Sequence, residues 1–207
     1  MHCDSGGQVI KKFDDLIYIK ENALDKEFCE HCIKKFKEDD RKKQGKTGGG
    51  LNLDVKRSMD LNISKVDGWE GEDKIFFNSL NEALHEYVNL EASKFMHLDR
   101  ENVRDTGYQI QETNPGDFYD WHTDYMVSSD GWSRFLTFIW YLNDVKYKGE
   151  TEFIMGNKIK PETGKLMLFP AAWMYFHRGC PPKKETKYIA TGWVYYNVQD
   201  TVGIIEK

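Results

Sequence analysis

The second half of the chain is a series of short apolar segments separated by turn residues, and this pattern constrains the fold most. From about residue 103, runs rich in aromatic and β-branched residues alternate with breaks at residues 114–117 and at Asn143-Asp144. The runs cover residues 108–113, 118–122, 135–142, 151–154, 166–169, 173–177 and 188–197. Strands that repeat at this spacing are typical of a β-sandwich or a β-barrel.

The first hundred residues are predicted to be mainly helical. Residues 24–38 have the apolar spacing of an amphipathic helix, and Asp25 is placed to cap its first turn. Residues 72–95 carry a second apolar stripe at helical spacing, long enough to cover a sheet. The 207 residues suffice for one domain. We therefore expect a single domain spanning 1–207, with helical support and early strands in about 1–102 and the β core in about 103–200.

Residues 41–50 form a polar, glycine-rich segment between the two helices. Such a composition predicts a mobile loop. The loop is either a plain surface connection or a lid that covers a substrate site, because mobile loops often gate active sites.

Charge and cysteine content narrow the classes of partner. The net charge of -5 disfavours nucleic acid as a partner, because phosphate binding requires a basic surface. No apolar stretch has the length of a membrane span, and residues 1–8 lack a signal-peptide core, so a cytoplasmic protein with reduced cysteines is expected. Cys29 and Cys32 follow the apolar face of the first predicted helix, and no second Cys or His pair completes a zinc site. We expect buried thiols there.

Three residues have the composition of a metal site. His122 and Asp124 are two positions apart at a predicted strand end, so both can reach one ion, and His177 lies near the end of another predicted strand. Two imidazoles and one carboxylate are the ligand set of non-haem Fe(II) oxygenases. An HxD pair alone is weak, since it also occurs in surface turns.

The alternation of side chains along the predicted strands indicates further candidate site residues. Trp173, Tyr175 and His177 share one strand face, which directs His177 inward. On the last strand, Lys187 shares a face with apolar residues, and an inward ammonium is costly unless a carboxylate meets it. A dicarboxylic cosubstrate supplies that carboxylate. Gln109 and Gln111 share a face and are candidates for substrate or cosubstrate contacts.

These residues stand within a recognisable series of motifs. The series consists of Tyr119-x-x-His122-x-Asp124, residues 134–144, Gly149-Glu-Thr-Glu-Phe153, Pro161-x-x-Gly164, Phe169-Pro170, His177-Arg178-Gly179 and Lys187-Tyr188 followed by Trp193. Residues 108–196 thereby resemble the catalytic core of the 2-oxoglutarate/Fe(II) dioxygenases, nearest to the prolyl 4-hydroxylase-like branch.

The resemblance implies a mainly β fold with flanking helices, in which a double-stranded β-helix, or jelly-roll, is supported by the N-terminal helices. It implies Fe(II), 2-oxoglutarate and O2 as cofactor and cosubstrates, with ascorbate as a reductant. It assigns iron to His122, Asp124 and His177, and the distal carboxylate of 2-oxoglutarate to Lys187 with Tyr141 as a hydrogen-bonding partner. The expected lining of the pocket is Tyr119, Ile139, Thr151 and Trp193.

The resemblance also implies a reaction. We expect hydroxylation of a prolyl residue in a peptide or protein, coupled to oxidative decarboxylation of 2-oxoglutarate. Free proline or another small amino acid is an alternative substrate. Two alternatives of other classes are a non-catalytic, cupin-like module that binds a metal or small ligand, and a hydrolase with a redox-silent metal. The sequence does not indicate an oligomeric state.

Overall fold

The computed structural model describes residues 16–90 and 102–197, which form two β-sheets and two α-helices. In chain order the elements are β1 (Tyr18–Lys20), α1 (Lys26–Glu38), β2 (Lys43–Gln44), β3 (Met59–Asn62), α2 (Glu70–Val88), β4 (Val103–Asp105), β5 (Gln109–Thr113), β6 (Tyr119–His122), β7 (Trp132–Tyr141), β8 (Thr151–Phe153), β9 (Lys158–Ile159), β10 (Leu166–Pro170), β11 (His177–Gly179) and β12 (Lys187–Asn197). Both α-helices lie before residue 90, together with β1 to β3, while β4 to β12 follow residue 102.

The strands pair into a large and a small antiparallel sheet. The large sheet has the order β1-β10-β7-β12-β5-β3-β2, with β4 also paired to β12. The small sheet has the order β6-β11-β8-β9. Neighbours in each sheet are mostly distant in sequence, which is how a jelly-roll winds its strands alternately into two sheets.

Strand β7 divides two hydrophobic cores by the alternation of its side chains. Leu136, Phe138 and Trp140 belong to the core that the large sheet shares with the helices. Ile139 and Tyr141 point to the opposite face and pack with residues of β8 and β10 between the sheets. The two helices thus cover one face of the large sheet, and its other face is left for the small sheet and for a site.

Helix α1 bears out its sequence pattern closely. The Asp25 carboxylate accepts a hydrogen bond from the backbone N–H of Phe28 at 2.6 Å, which satisfies a first-turn amide. Cys29 and Cys32 are fully buried with free thiols, and burial raises the pKa of both. The prediction of core thiols instead of a metal site is confirmed. Cys180 is also free, while Cys3 lies outside the described residues.

Helix α2 starts and ends earlier than the sequence predicts. It spans Glu70–Val88, and the backbone N–H of Asn89 closes it by donating to the carbonyls of Glu86 and Tyr87. The predicted extension to residue 95 is therefore wrong at residues 89–90, and its remainder lies outside the described residues. Neither described helix is long and apolar enough to cross a membrane.

The predicted strand at residues 173–177 is wrong. The backbone N–H of Tyr175 donates to the Ala172 carbonyl and forms a turn, and β11 begins only at His177. Tyr175 is buried between the sheets while Trp173 is 71% exposed, so these residues do not share a face. The aromatic residues of this segment resemble those of a strand. Here they lie on a turn, where Tyr175 anchors the segment in the core and Trp173 lies at the surface.

The glycine-rich segment 41–50 is more structured than a mobile loop. Lys43 and Gln44 form β2, which pairs with β3. Thr47 and Gly50 exchange backbone hydrogen bonds in a tight turn at 2.9 and 3.0 Å. The prediction of a loop throughout is therefore wrong at β2, and the turn beyond it has a defined conformation.

Strand β12 has a glycine where a side chain would not fit. A Cβ at Gly192 would lie 2.5 Å from the Gly107 carbonyl oxygen and 2.6 Å from the Phe138 ring. We expect Gly192→Ala to lower the free energy of unfolding by about 1–3 kcal/mol, because overpacking shifts a central strand. Gly71→Ala is the control, since its Cβ would meet nothing within 4 Å. Urea denaturation monitored by circular dichroism checks both variants, and equal stabilities would contradict the packing described.

Candidate metal centre and cosubstrate cavity

The three predicted metal ligands meet between the ends of β6 and β11. His122 and His177 are directly opposite each other in the antiparallel pair, and Asp124 follows β6 by two residues. One ligand atom from each residue lies within 4.8 Å of the others. Asp124 Oδ1 is 3.9 Å from His122 Nε2, and Asp124 Oδ2 is 3.7 Å from His177 Nε2. The arrangement is that of three donors on one side of a single ion.

Backbone carbonyls orient both imidazole rings toward the ion position. His122 Nδ1 lies 2.7 Å from the Asp120 carbonyl, and His177 Nδ1 lies 2.9 Å from the Tyr175 carbonyl. A carbonyl only accepts hydrogen bonds, so each Nδ1 carries a proton, and Nε2 is the nitrogen that presents a lone pair when the ring is neutral. Burial, together with the neighbouring His177, lowers the pKa of His122 and favours the neutral ring that a metal needs.

Asp124 is held ionised despite its burial. Burial opposes its charge, but the two imidazoles and a hydrogen bond from Thr137 keep the pKa of this carboxyl below its ordinary value. The Thr137 hydroxyl donates to Asp124 Oδ2 at 2.7 Å from the adjacent strand β7. Thr137 is 2% exposed and therefore fixes the carboxylate from behind.

Lys187 carries a buried ammonium whose charge is stabilised by few neighbouring groups. It is 4% exposed at the start of β12, and its Nζ donates to the Gly149 carbonyl at 3.1 Å. No carboxylate among the described residues lies within ion-pair distance of it. Burial lowers the pKa of Lys187 to about 8. An ammonium in this position would gain from an anionic ligand, as the sequence analysis predicts.

One cavity of about 340 Å³ joins the metal ligands to Lys187. Most of the predicted site residues line it, namely Tyr119, Ile139, Thr151, Trp193, Gln109 and Gln111 in addition to His122, Asp124, His177 and Lys187. Tyr141 does not line it. This residue is fully buried, and its hydroxyl donates to Thr151 Oγ1 at 2.7 Å, so it lies behind the cavity wall.

Several cavity residues were not predicted from the sequence. Thr137 shares its strand face with Ile139, but its bond to Asp124 depends on how the chain returns after β6. Arg134 lies over the Trp193 ring, 3.5 Å from the centroid, and Lys56 reaches the cavity from the segment before β3. The alternation of side chains along β7 and β12 places Thr137 and Thr191 on the face that lines the cavity. No local sequence pattern indicates that Lys56 reaches the cavity.

Comparison with known proteins agrees with this geometry. The family model described as "2OG-Fe(II) oxygenase superfamily" matches residues 108–195, the part of the chain that contains the metal ligands and Lys187. Residues 108–195 are therefore similar to the 2-oxoglutarate/Fe(II) oxygenases. Among curated proteins, it is 25% identical to "Probable prolyl 4-hydroxylase 3" of Arabidopsis thaliana over 86% of this chain and 68% of that one. Within these oxygenases, the chain is thus similar to a prolyl 4-hydroxylase.

Solved structures confirm the double-stranded β-helix. The viral collagen prolyl hydroxylase of Paramecium Bursaria Chlorella virus-1, in complex with 2-oxoglutarate, superimposes with a TM-score of 0.66 at 22% identity, covering 87% of this chain and 96% of that one. A Trichoplax adhaerens prolyl hydroxylase, bound to a hypoxia-inducible-factor peptide fragment, gives 0.72 at 16% identity, covering 90% and 86%. The jelly-roll expected from the sequence is the observed fold.

The site fits the cofactors of this family. Two imidazoles and an ionised carboxylate suit Fe(II), and the three ligands leave positions free for cosubstrate and O2. The unpaired Lys187 ammonium, at the other end of the same cavity, suits the distal carboxylate of 2-oxoglutarate. The enzyme is a 2-oxoglutarate-dependent dioxygenase that uses Fe(II), 2-oxoglutarate and O2.

Removing the Thr137 hydroxyl should weaken metal binding. Thr137→Val keeps the side-chain shape but leaves Asp124 Oδ2 without its donor, so we expect metal affinity to fall about 10-fold or more. Thr191→Val is the matched control, because Thr191 also lines the cavity but its hydroxyl donates to the Phe138 carbonyl. Titration with Mn(II), followed by electron paramagnetic resonance, measures both affinities. Equal losses in the two variants would count against an orienting role for Thr137.

The affinity for 2-oxoglutarate should depend on pH through Lys187. Its pKa of about 8 means that the ligand-free protein loses this charge as pH rises through 8, whereas a bound carboxylate favours the charged form. The Kd should therefore be constant below pH 8 and rise by up to about tenfold per pH unit above it. Lys187→Arg should flatten this dependence, since a guanidinium stays protonated. Calorimetry on the Mn(II)-loaded proteins checks this, and identical profiles would contradict it.

Proposed function

We propose that this enzyme hydroxylates a prolyl residue in a peptide or protein and couples this to the oxidative decarboxylation of 2-oxoglutarate. The observation that carries the proposal is the single cavity that joins a His-Asp-His metal site to an unpaired, buried ammonium. The relatives support the substrate class, since they are named as prolyl hydroxylases and one is bound to a peptide fragment.

The chain's own residues bind, orient and exclude water. Bound iron would supply oxygen activation, which turns 2-oxoglutarate into succinate and carbon dioxide and hydroxylates a C–H bond. Lys187 fixes the distal carboxylate, and Tyr141 positions Thr151 through its hydrogen bond, so that Thr151 can contact the same cosubstrate. Apolar Ile139 and Ile189 limit water beside the reacting atoms.

The alternatives from other classes leave part of this cavity without a use. A non-catalytic metal-binding module and a hydrolase with a redox-silent metal both account for His122, Asp124 and His177. Neither needs an ammonium buried without a carboxylate partner at the far end of the cavity. Lys187 therefore favours a reaction that takes a dicarboxylate as cosubstrate.

The test is turnover with Fe(II), 2-oxoglutarate and ascorbate. Succinate should form, and a proline-containing peptide should gain one oxygen atom from isotopically labelled O2 by mass spectrometry. The same peptide with alanine in place of proline should gain none. His177→Ala should abolish both products, because it removes a ligand of the metal. Labelled oxygen on free proline but on no peptide would overturn the assignment of a peptide substrate.

A further inference from the structure

The charge of the cavity is opposite to that of the whole chain. The chain has a net charge of -5, but its described cavity residues include more cations than carboxylates. The cationic residues are Lys46, Lys56, Arg134 and Lys187, while Asp124 supplies the carboxylate. A cleft of one charge sign concentrates ligands of the other sign, so this cationic cavity favours anionic ligands.

Most of these cations already have a partner or a role. Lys187 faces the cosubstrate, and Lys56 Nζ donates to Asp60 Oδ2 at 2.7 Å in a nearly buried ion pair. The Arg134 guanidinium lies over Trp193 and donates to the Asp124 backbone carbonyl at 3.4 Å. Lys46 is exposed at the cavity, and within the described chain it forms no ion pair. Among the four cations of the cavity, it is the exposed one without a carboxylate partner in the described chain.

The backbone directly before Lys46 packs against the ion pair of Lys56 and Asp60. A Cβ on Gly45 would overlap the Ser58 hydroxyl and lie 2.8 Å from Asp60 Oδ2, so only glycine permits this close approach. The Gly45 N–H also donates to the Ser58 carbonyl at 2.8 Å. The tight turn at residues 47–50 follows directly. Lys46 is therefore carried on a fixed backbone, next to a buried ion pair.

Lys56 lies close to the metal centre, and Lys46 lines the same cavity. Lys56 Nζ lies 5.2 Å from the centroid of the Tyr119 ring. That ring in turn stacks on the His122 imidazole with a centroid separation of 3.6 Å and an interplanar angle of 12°. We call Lys46 and Lys56 the lysine wall. A group bound against it would be close to the part of the substrate that reacts.

We propose that the lysine wall binds a carboxylate of the substrate, so that the preferred substrate is a peptide with an acidic residue next to the reacting prolyl residue. That the reacting residue is a prolyl residue rests on the proposed function. Lys56 is neutralised by Asp60, so Lys46 supplies the net attraction and Lys56 a second hydrogen-bond donor. The negative charge of the rest of the chain disfavours peptides that are acidic throughout. The wall thus selects one well-placed acidic side chain.

The experiment compares three peptides that each contain one proline. The residues that flank the proline are Glu in the first peptide, Gln in the second and Lys in the third. Binding is measured by fluorescence anisotropy with Mn(II)- and 2-oxoglutarate-loaded protein, and kcat/KM with the Fe(II) enzyme. The proteins are wild type, Lys46→Glu and Lys43→Glu. Lys43 is the matched control, because it is an exposed lysine on the same hairpin that does not line the cavity.

The wild type should bind the Glu peptide about 3- to 10-fold more tightly than the Gln peptide at low salt, and this preference should shrink at high salt. Lys46→Glu should reverse it in favour of the Lys peptide, while Lys43→Glu should retain it. Equal affinity of the wild type for all three peptides would overturn the proposal. So would an effect of Lys46→Glu on 2-oxoglutarate affinity alone, which would assign Lys46 to cosubstrate entry.

The two measurements separate this proposal from the proposed function. A charge preference in binding, without oxygen transfer to any proline peptide, supports the lysine wall and contradicts prolyl hydroxylation. Hydroxylation of all three peptides with equal kcat/KM supports prolyl hydroxylation and overturns the lysine wall.

Discussion

The antiparallel pairing of β6 with β11 is the constraint on which the metal centre depends. It sets His122 directly opposite His177, although the two residues belong to distant parts of the chain. The carbonyls of Asp120 and Tyr175 then fix both ring orientations from the backbone. Because the donors are held by the backbone and by Thr137, little side-chain freedom is lost when an ion binds.

The large sheet contributes the rest of the cavity through the alternation of its side chains. On β12, Tyr188, Ala190 and Val194 pack toward the helices, while Lys187, Thr191 and Trp193 face the cavity. One face of the strand therefore stabilises the fold, and the other binds ligands. The helices α1 and α2 matter to the chemistry indirectly, since burial of the first face holds the second in register with the metal ligands.

Features that depend on local pattern could be predicted from the sequence. The spacing of His122 and Asp124, the cap at Asp25 and the shared face of Lys187 and Trp193 each follow from a few neighbouring residues. Features that depend on distant pairing could not. The bond between Thr137 and Asp124 and the approach of Gly45 to Ser58 require the tertiary fold, and the aromatic run before His177 folds as a turn because Tyr175 anchors it in the core.

The central claim is that one cavity holds a metal on His122, Asp124 and His177 and the distal carboxylate of 2-oxoglutarate on Lys187. A crystal structure of the protein with Mn(II) and 2-oxoglutarate, grown without oxygen, tests it most directly. We predict a metal bound by the two Nε2 atoms and the Asp124 carboxylate, with 2-oxoglutarate reaching from the metal to Lys187 Nζ. A metal bound elsewhere, or a cosubstrate that leaves Lys187 without a carboxylate, would contradict the account.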